Sequence, residues 1–352
     1  MEPTPRKLTE LQGRLLNLIQ QQVPLVERPF AALGEKLGLS ETAVLQAIRE
    51  LRQGDRPVIR QISAIFDTKA LGYRSSLVAA RIPEPKLEQA AEVINAHPGV
   101  SHNYKRNHDY NLWYTLAVPP DSKLGLEKTL EILHRDSCAL QTRLMPTLKL
   151  FKIGVKLNLG DDDIATRSET PRFTEADRQA AAAFTVTDED KRMIRVLQQD
   201  LPLIQHPFDQ WAQMAGVSVA TLLASASQYE QQKQMRRFSA VLRHREVGFA
   251  SNGMGVWVVP AGQEDKFGQT AATFSAVSHC YLRPTYEDWP YNLFTMVHAQ
   301  SQAQCDQVLQ SISKATGISN YAALYSSKEY KKVRVHYFTP EIQQWEAAHL
   351  TA

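Results

Sequence analysis

Two short runs of the sequence combine residue types that could do acid–base chemistry on a charged ligand. The pattern V-S-H-x-Y-x-R occurs at residues 100–106 and again at residues 277–283. Because side chains alternate across a β-strand, a strand here places the valine, His102, Tyr104 and Arg106 on one face. These polar groups make a poor apolar core, and a polyanionic ligand would supply the partners that they need. A lone strand histidine is more often a satisfied core residue, but the repetition of the whole triplet favours a site.

The segments that follow the two runs repeat in part and then differ. Each run is followed by Y-N-L, which begins at Tyr110 in the first copy and at Tyr291 in the second. Three residues join Arg106 to Tyr110, and they include His108. Seven residues, 284–290, fill the same place in the second copy and contain no histidine. The two sites therefore cannot be equivalent, and one of them could be degenerate or structural.

The composition is that of an ordinary globular protein. The chain has 352 residues, of which 43% are hydrophobic and 22% charged, and its formal net charge of +3 is too small for a nucleic-acid coat. Its three cysteines (Cys138, Cys280 and Cys305) share no metal-ligand spacing, so we expect no disulfide framework, no metal site and an inert Cys280. No apolar run reaches 18 residues, and we expect no export signal, no membrane span and a cytoplasmic location.

The beginning of the chain predicts a winged helix-turn-helix. Helical spacing of leucine and isoleucine runs over residues 8–22, and Pro29 begins a short second helix. Gly38-Leu39-Ser40 is a tight turn, after which Ser40 caps a third helix that extends through Arg52. Alternation over residues 58–66 predicts the strand of the wing.

The next segment predicts a second small domain. We expect its elements in the order β-α-β-β-α-β, which is that of a ferredoxin-like domain. The expected strands lie at residues 75–82, 100–106, 111–118 and 143–153, and the expected helices at 86–96 and 123–135.

The whole arrangement then repeats. Gly216-Val217-Ser218 mirrors residues 38–40, and Phe238-Ser239-Ala240-Val241 mirrors Ile62-Ser63-Ala64-Ile65. The fold class is therefore α+β, a tandem repeat of a winged helix-turn-helix plus a ferredoxin-like domain, and we expect the copies to pack about a pseudo-two-fold axis. The predicted domains are residues 1–70 (helix-turn-helix), 71–159 (ferredoxin-like), 160–186 (linker), 187–247 (helix-turn-helix) and 248–340 (ferredoxin-like).

The predicted recognition helices are poorly equipped for DNA. The first offers Gln46 and Arg49 but also two glutamates, and the second, which begins at Ser218, has no basic residue. Because contacts with phosphates supply most of the affinity for DNA, we expect these helices to be scaffold and nucleic acid not to be a partner.

The combination of these domains resembles the feast/famine (Lrp/AsnC-type) regulators. The runs Val100–Trp113 and Cys280–Phe294 are closer to an offshoot of that family, the sirohaem decarboxylases, which share the fold and act on a tetrapyrrole. The resemblance covers nearly the whole chain, and its first half looks like the D-type subunit and its second half like the L-type subunit. The chain therefore resembles a fused D–L protein of haem d1 biosynthesis.

The resemblance implies a carboxy-lyase. Such an enzyme removes the acetate carboxyls on rings C and D of sirohaem to give 12,18-didecarboxysirohaem, without a cofactor or protein-bound metal beyond the iron of the substrate. Two alternatives stay open, the same reaction in the alternative route to haem b, and a DNA-binding regulator of the Lrp/AsnC type. Besides sirohaem, the resemblance allows two kinds of partner, companion decarboxylase subunits or a second copy of the chain.

The implied chemistry assigns roles to the residues of both runs. His102, His108 and His279 are the candidate proton donors, and the iron of sirohaem could instead take one of them as an axial ligand. Five residues are candidates for binding the substrate, either as cations for its carboxylates or as rings beside the macrocycle: Tyr104, Lys105, Arg106, Tyr281 and Arg283.

The two halves are not expected to contribute equally. We expect the first-half cluster of His102, Arg106 and His108 to be indispensable. The second half instead places Glu287 and Asp288 in its longer connection, where their carboxylates would repel a polyanion unless they face solvent.

Overall fold

The structure, a computed structural model, describes residues 8–53, 57–153, 185–242 and 251–350, together with residue 176. These residues form two compact units, one drawn from residues 1–71 and 178–249 and the other from 72–177 and 250–352. Each unit thus combines one piece from each half of the sequence. The predicted linker at 160–186 lies almost entirely outside the described residues.

The elements follow the predicted order in both halves. In the described part of the chain the helices are α1 (Glu10–Gln21), α2 (Pro29–Leu37), α3 (Glu41–Arg52), α4 (Leu87–Ala96), α5 (Gly125–Asp136), α6 (Asp188–Leu197), α7 (Asp209–Ala215), α8 (Val219–Gln231), α9 (Glu264–Thr273), α10 (Gln302–Thr316) and α11 (Glu341–Leu350). The strands are β1 (Ile59–Phe66), β2 (Arg74–Arg81), β3 (Val100–Arg106), β4 (Leu112–Val118), β5 (Gln141–Met145), β6 (Lys149–Ile153), β7 (Met235–Leu242), β8 (Ser251–Trp257), β9 (Val277–Leu282), β10 (Leu293–Ala299) and β11 (Tyr321–Lys332). None of the described helices is both long enough and apolar enough to cross a bilayer.

The first unit holds the two helix-turn-helix copies, whose turns follow the same local rules. Gly38 and Gly216 end α2 and α7 in the left-handed conformation, with φ of 71° and 73°, which glycine adopts without strain. Two residues later, Ser40 and Ser218 each accept a backbone N–H through the side chain and so cap α3 and α8. The repeat read from the sequence is therefore a repeat of structure.

The wing strands of the two copies pair with each other. β1 and β7 form an antiparallel pair in which Ser63 lies opposite its own repeat equivalent, Ser239. The same symmetry appears at the ends of α1 and α6, because Val23 N donates to Phe238 O and Leu201 N donates to Ile62 O, both at 2.7 Å. This local pairing confirms the predicted pseudo-two-fold arrangement of the tandem within the first unit.

The second unit holds the two ferredoxin-like copies in one nine-stranded sheet. Its order is β5-β2-β4-β3-β11-β8-β10-β9-β6. The stretches β5-β2-β4-β3 and β11-β8-β10-β9 each have the strand order of a ferredoxin-like domain. The predicted fold class is therefore confirmed in this unit as well.

The last strand of each half crosses into the sheet of the other half. β11 pairs with β8 through Tyr321–Tyr325 and then with β3 through residues 326–332. In the first half, β5 pairs with β2 and β6 pairs with β9. The expectation of one unbroken strand at 143–153 is wrong, because Pro146, which has no N–H for a ladder, separates β5 from β6.

Apolar side chains cover both faces of this sheet. On one face α4 and α5 pack on the first half, and α9 and α10 on the second half. The opposite face carries a core shared by the halves, which we call the inner core: Ala79, Tyr110, Trp113, Met145, Met254, Val256, Trp289, Phe294 and Leu324. Neither half could bury this inner face alone.

The final helix stabilises a distant helix start. Leu124 precedes α5 without a side-chain cap of its own. Glu346 of α11, only 2% exposed, takes that role by accepting hydrogen bonds from Ser122 Oγ, Lys123 N and Leu124 N. A carboxylate beside unsatisfied N–H groups at a helix start is favourable for both hydrogen bonding and the helix dipole.

Replacing Glu346 with alanine should therefore lower the free energy of unfolding by about 1–3 kcal/mol. Urea unfolding followed by circular dichroism measures the change. Gln343→Ala, an exposed change on the same helix, is the control and should stay within about 0.5 kcal/mol of the unchanged protein. Equal losses in both variants would show that the cap contributes nothing.

Candidate active site

The two signature strands share a bulge that changes which residues face the ligand side. Between Val100 and Asn103 the pairing of β3 with β4 slips by one residue, and β9 slips against β10 after Val277 in the same way. Val100 and Val277 consequently pack in the helix-covered cores. The expectation that the valine shares a face with the histidine is wrong, because an extra residue in one strand reverses the alternation.

The histidine, tyrosine and arginine of the first run do stay together. His102 and Tyr104 have ring centroids 6.2 Å apart, and the guanidinium of Arg106 lies 5.8 Å from the Tyr104 ring. Arg106 Nη1 donates to Leu324 O at 2.8 Å, which places the guanidinium beside the inner core. The structure thus brings three of the predicted site residues onto one face.

Arg106 is a buried cation that has no carboxylate partner in the described part of the chain. It is 5% exposed, and its Nε has no hydrogen-bond partner among the described residues. Within the described chain its guanidinium forms no salt bridge. Its side-chain contacts are the Leu324 carbonyl and the Tyr104 ring. Burial lowers the pKa of Arg106 to about 10. A cation buried in this way is stabilised when an anion reaches it.

The second run builds a related but different group. His279 Nδ1 lies 3.0 Å from Tyr281 Oη, and the two rings stack with centroids 5.8 Å apart. Arg283 is 7% exposed, lies 4.8 Å from the Tyr281 ring and donates through Nη1 to Met145 O. In both halves, therefore, the arginine of the run holds a carbonyl that belongs to the other half: Leu324 O on the crossing strand β11, and Met145 O on β5, the strand before the crossing strand β6.

His108 is held in one orientation by its own loop and by the second half. Its Nδ1 accepts the backbone N–H of Tyr110 at 3.0 Å, and its ring meets the edge of Trp289 at 5.1 Å. Burial lowers the pKa of His108, so the ring is neutral near neutral pH. Because Nδ1 is an acceptor, the proton of the neutral ring must sit on Nε2.

The 284–290 segment of the second half docks on the first half. Trp289 is fully buried in the inner core, against Tyr110 and Trp113. Asp288 accepts from Tyr110 Oη at 2.5 Å and from Arg143 at 3.1 and 3.3 Å. Burial and the Asp288 carboxylate together raise the pKa of Tyr110 to about 12.

These contacts correct the electrostatic argument against the second half. Asp288 is not a bare carboxylate facing a ligand, because the ion pair with Arg143 and the Tyr110 hydroxyl take up its charge. Glu287 and Asp288 are both exposed, as the alternative interpretation allowed. The segment is thus a structural neighbour of His108 and not an electrostatic barrier.

Several basic residues near the signature strands lie away from this face. Lys105 pairs with Glu84, and the structure does not bring it to His102 and Arg106. Lys328 pairs with Glu88, and Lys331 donates to backbone carbonyls at the end of α4. A role for Lys105 in binding a substrate remains a prediction without support from its position.

The cysteine and metal expectations concern the same region. Cys280 is fully buried, and burial raises the pKa of its thiol to about 12, which leaves the thiol protonated and unreactive. In the described ranges no group of three or more histidine, cysteine or acidic residues could hold a metal ion.

Sequence reasoning missed two hydroxyl groups behind His102. Ser101 Oγ lies 3.0 Å from His102 Nδ1 and 2.6 Å from Thr115 Oγ1, and Thr115 Oγ1 accepts the His102 backbone N–H at 3.2 Å. Ser101 is visible in the repeated motif. Thr115 could have been noticed only by aligning the two copies of Y-N-L. The third residue after the leucine is Thr115 in the first copy and Met296 in the second.

The fold and this face define a class of protein, a tandem of helix-turn-helix and ligand-binding domains with polar, ligand-suited residues on the signature strands. A family model described as the siroheme decarboxylase NirDL-like HTH domain matches residues 12–60 and 190–236. A second, described as an AsnC-like ligand binding domain, matches residues 70–152 and 246–331. The chain belongs to the sirohaem decarboxylase family.

Individual relatives agree with this assignment. A siroheme decarboxylase of Hydrogenobacter thermophilus is 38% identical over 94% of this chain and 96% of the relative. The siroheme decarboxylase beta subunit of Methanosarcina barkeri is 39% identical over 42% of this chain and 96% of that subunit. The crystal structure of siroheme decarboxylase NirDL with an iron-uroporphyrin III analogue matches with a TM-score of 0.74 at 34% identity, over 97% of this chain and 99% of that chain.

Loss of the Asp288 carboxylate should loosen the docked segment. Asp288→Ala leaves Arg143 and Tyr110 without their shared acceptor, and we expect a loss of about 1 kcal/mol, because the ion pair is partly exposed. Urea unfolding measures the loss, and tryptophan fluorescence should shift to the red as water reaches Trp289. Glu287→Ala removes the neighbouring exposed carboxylate as a control. Docking would be refuted by two variants with the same stability and spectrum.

Proposed function

We propose that this chain decarboxylates sirohaem, removing the acetate carboxyls of rings C and D to give 12,18-didecarboxysirohaem. The observation that carries the proposal is Arg106, a buried guanidinium on the same face as His102 that has no carboxylate partner among the residues that the structure describes. Sirohaem carries eight carboxylates and so offers the anions that this face requires. Membership of the sirohaem decarboxylase family supports the identity of the substrate.

The reaction makes one demand on acid–base chemistry. When an acetate side chain loses carbon dioxide, the electron pair of the broken C–C bond must end in a new C–H bond, so each decarboxylation consumes one proton. Protonation of the ring carbon that bears the acetate creates the electron sink. After carbon dioxide has left, a proton is added at the methylene carbon and the ring carbon gives up the proton that it had taken, so the net uptake is one proton. Histidine donates protons well near neutral pH, which gives His102, His108 and His279 their proposed role.

The arginines are proposed to orient carboxylates that stay on the substrate. An arginine that gripped the departing carboxylate would stabilise the ground state and raise the barrier. Arg106 and Arg283 each keep one Nη1 on a carbonyl of the other half. A substrate carboxylate bound at either arginine would therefore be fixed relative to both halves of the second unit, and Tyr104 and Tyr281 would pack beside it.

The hydrogen bond at Nδ1 distinguishes between two possible roles of His108, axial ligand to the iron and donor at Nε2. An axial iron ligand needs a free lone pair on Nε2, but the neutral ring carries its proton there while Nδ1 accepts from Tyr110 N. His108 would have to break this bond to bind the iron of sirohaem. Its geometry therefore favours a hydrogen bond donated from Nε2 to the substrate. To act as a proton donor, the ring must first become a cation, which would break the bond that Tyr110 N donates to Nδ1.

The remaining parts of the proposal concern partners and setting. The iron of the substrate is the only metal that we propose, and no further cofactor. Relatives are named as separate alpha and beta subunits, so companion subunits or a second copy of this chain are proposed partners. The three free cysteines are compatible with a cytoplasmic location. We place the reaction in haem d1 biosynthesis because the tandem resembles a fused D–L protein, and the route to haem b is the alternative.

The helix-turn-helix copies do not favour the alternative of a DNA-binding regulator. The basic residues at the end of α3 contact the other copy: Arg49 donates to Leu203 O at 2.8 Å and Arg52 forms a bidentate pair with Asp200. α8 carries no basic residue. A gel-shift assay with upstream DNA separates the two functions, because a decarboxylase with scaffold helices leaves the DNA unshifted.

Incubation with sirohaem tests the proposed activity directly. Under anaerobic conditions the folded protein should convert sirohaem to a species lighter by two carbon dioxide molecules. Mass spectrometry of the extracted pigment, with a sample without protein as the control, measures the conversion. Recovery of intact sirohaem from well-folded protein would refute the proposal.

Single substitutions test the expected inequality of the halves. Removal of a general acid costs about 10²–10⁴ in rate, so His102→Ala or His108→Ala should nearly abolish turnover while the pigment still binds. Arg106→Ala should also weaken binding, because an orienting charge is lost. His279→Ala should cost less than the worse of the two first-half histidine changes.

Turnover is measured by mass spectrometry and binding by the absorption spectrum of the pigment. Arg283→Ala is the matched comparison for Arg106→Ala, because each arginine donates to a backbone carbonyl of the other half. If His279→Ala alone stops both decarboxylations and the first-half variants stay active, the working site lies in the second half.

A further inference from the structure

The tandem repeat offers an internal comparison of two histidines in nearly the same backbone. His102 and His279 follow the same V-S pair, in strands with the same bulge. Ser101 and Ser278 are both buried. Differences between the two histidines must therefore come from the side chains around them.

The neighbouring strand supplies the decisive difference. Val100 pairs with Leu116, and Val277 pairs with Val297, so the residues just before these partners, Thr115 and Met296, hold equivalent places. In the first half Thr115 Oγ1 lies 2.6 Å from Ser101 Oγ, which lies 3.0 Å from His102 Nδ1. The chain of hydroxyls thus ends on one defined ring nitrogen.

The second half cannot form this chain. Met296 has no hydroxyl, and Ser278 Oγ instead donates to the Met296 backbone carbonyl at 3.3 Å. His279 Nδ1 lies 3.0 Å from Tyr281 Oη. The rings of His279 and Tyr281 are stacked with centroids 5.8 Å apart, whereas those of His102 and Tyr104 are tilted with centroids 6.2 Å apart. One methionine in place of a threonine therefore accompanies a different partner for the histidine.

We propose that Ser101 and Thr115 are positioning residues that hold His102 through Nδ1, so that it exchanges its proton with a substrate through Nε2. The proposal rests on the proposed function, in which His102 is a proton donor. Thr115 Oγ1 already accepts the His102 backbone N–H, so one hydroxyl anchors both the backbone and, through Ser101, the ring. The inequality of the two halves then has a cause in the structure.

Both protonation states of the ring fit the hydroxyl pair. When the ring is a cation, Nδ1–H donates to Ser101 Oγ, and Ser101 donates to Thr115 Oγ1. After Nε2 gives up its proton, Nδ1–H keeps the same bond, and uptake of one proton from solvent restores the cation. The bond between the ring and Ser101 is the same in both states, as a positioned general acid requires.

The test compares Thr115→Val, which keeps the shape and removes the hydroxyl, with Thr115→Ser, which restores it. The substrate-free protein is labelled with ¹⁵N at histidine, and its imidazole nitrogens are observed by NMR. The signals that disappear in His102→Ala are those of His102. In Thr115→Val we expect the Nδ1 signal of His102 to move and its pKa to fall, because the cationic ring loses its chain of acceptors. Thr115→Ser should return both toward the original values.

Kinetics supply the second readout. With sirohaem, Thr115→Val should lower kcat about tenfold, the cost of about one hydrogen bond in the transition state, and leave KM nearly unchanged. Because the acid form of His102 titrates at lower pH, the rate should also begin to fall at lower pH. Thr142→Val, the same chemical change on β5 of the same sheet, is the matched control and should alter neither signal nor rate.

Each outcome decides the proposal. An unmoved His102 signal in folded Thr115→Val overturns it, and so does a Thr115→Ser variant that behaves like Thr115→Val. If Thr115→Val does not fold, Ser101→Ala carries the same two readouts. Failure of the proposed function is a separate result, because the substrate-free spectra still report on His102 when the unchanged protein converts no sirohaem.

Discussion

The second unit depends on an exchange of strands that two buried arginines hold in place. The last strand of each half leaves its own sheet and pairs with the signature strand of the other half. Arg106 donates to Leu324 O on β11 and Arg283 to Met145 O on β5, so each guanidinium binds the other half shortly before the chain of that half crosses. Burying a charged group costs free energy, and the paired strands and the shared inner core must offset that cost. The same guanidinium groups lie beside the candidate proton donors. The architecture and the candidate site therefore use the same residues.

Because the chain is a tandem repeat, the V-S-H-x-Y-x-R motif occurs in two different side-chain environments. In the first half hydroxyl groups hold His102, and the neighbouring loop adds His108. In the second half a tyrosine contacts His279, and the longer connection packs its tryptophan against His108. The second half thus contributes Trp289 to the surroundings of His108 and also carries its own cluster of histidine, tyrosine and arginine. This arrangement explains why the chain needs both ferredoxin-like copies in contact, whichever of them carries out the chemistry.

Much of the fold follows from features that are local in sequence. The Gly–x–Ser turns, the helical spacing and the repeated landmarks predict the elements, and β3 has the predicted bounds. The errors arise where a residue's position depends on a neighbouring strand. The bulge that turns Val100 toward the helices, and the contacts of Thr115 and Asp288, are set by register and by segments 14 to 178 residues away. Alternation already places Lys105 on the face opposite Tyr104 and Arg106, but it does not reveal that the partner of Lys105 is Glu84. The face on which a strand residue lies, and the side chain that it contacts, depend on how two strands pair. A single sequence predicts this pairing only indirectly.

The covalent joining of the two halves changes what a substitution can do. In a dimer of identical chains, every replacement appears on both sides of the symmetry axis, so an improvement of one site is also imposed on the other. In this tandem a threonine stands in one half and a methionine in the other at equivalent places, while the backbone around them stays the same. One gene can therefore encode two sites that diverge independently, and the crossing strands ensure that each half still assembles with its own complement rather than with a copy of itself.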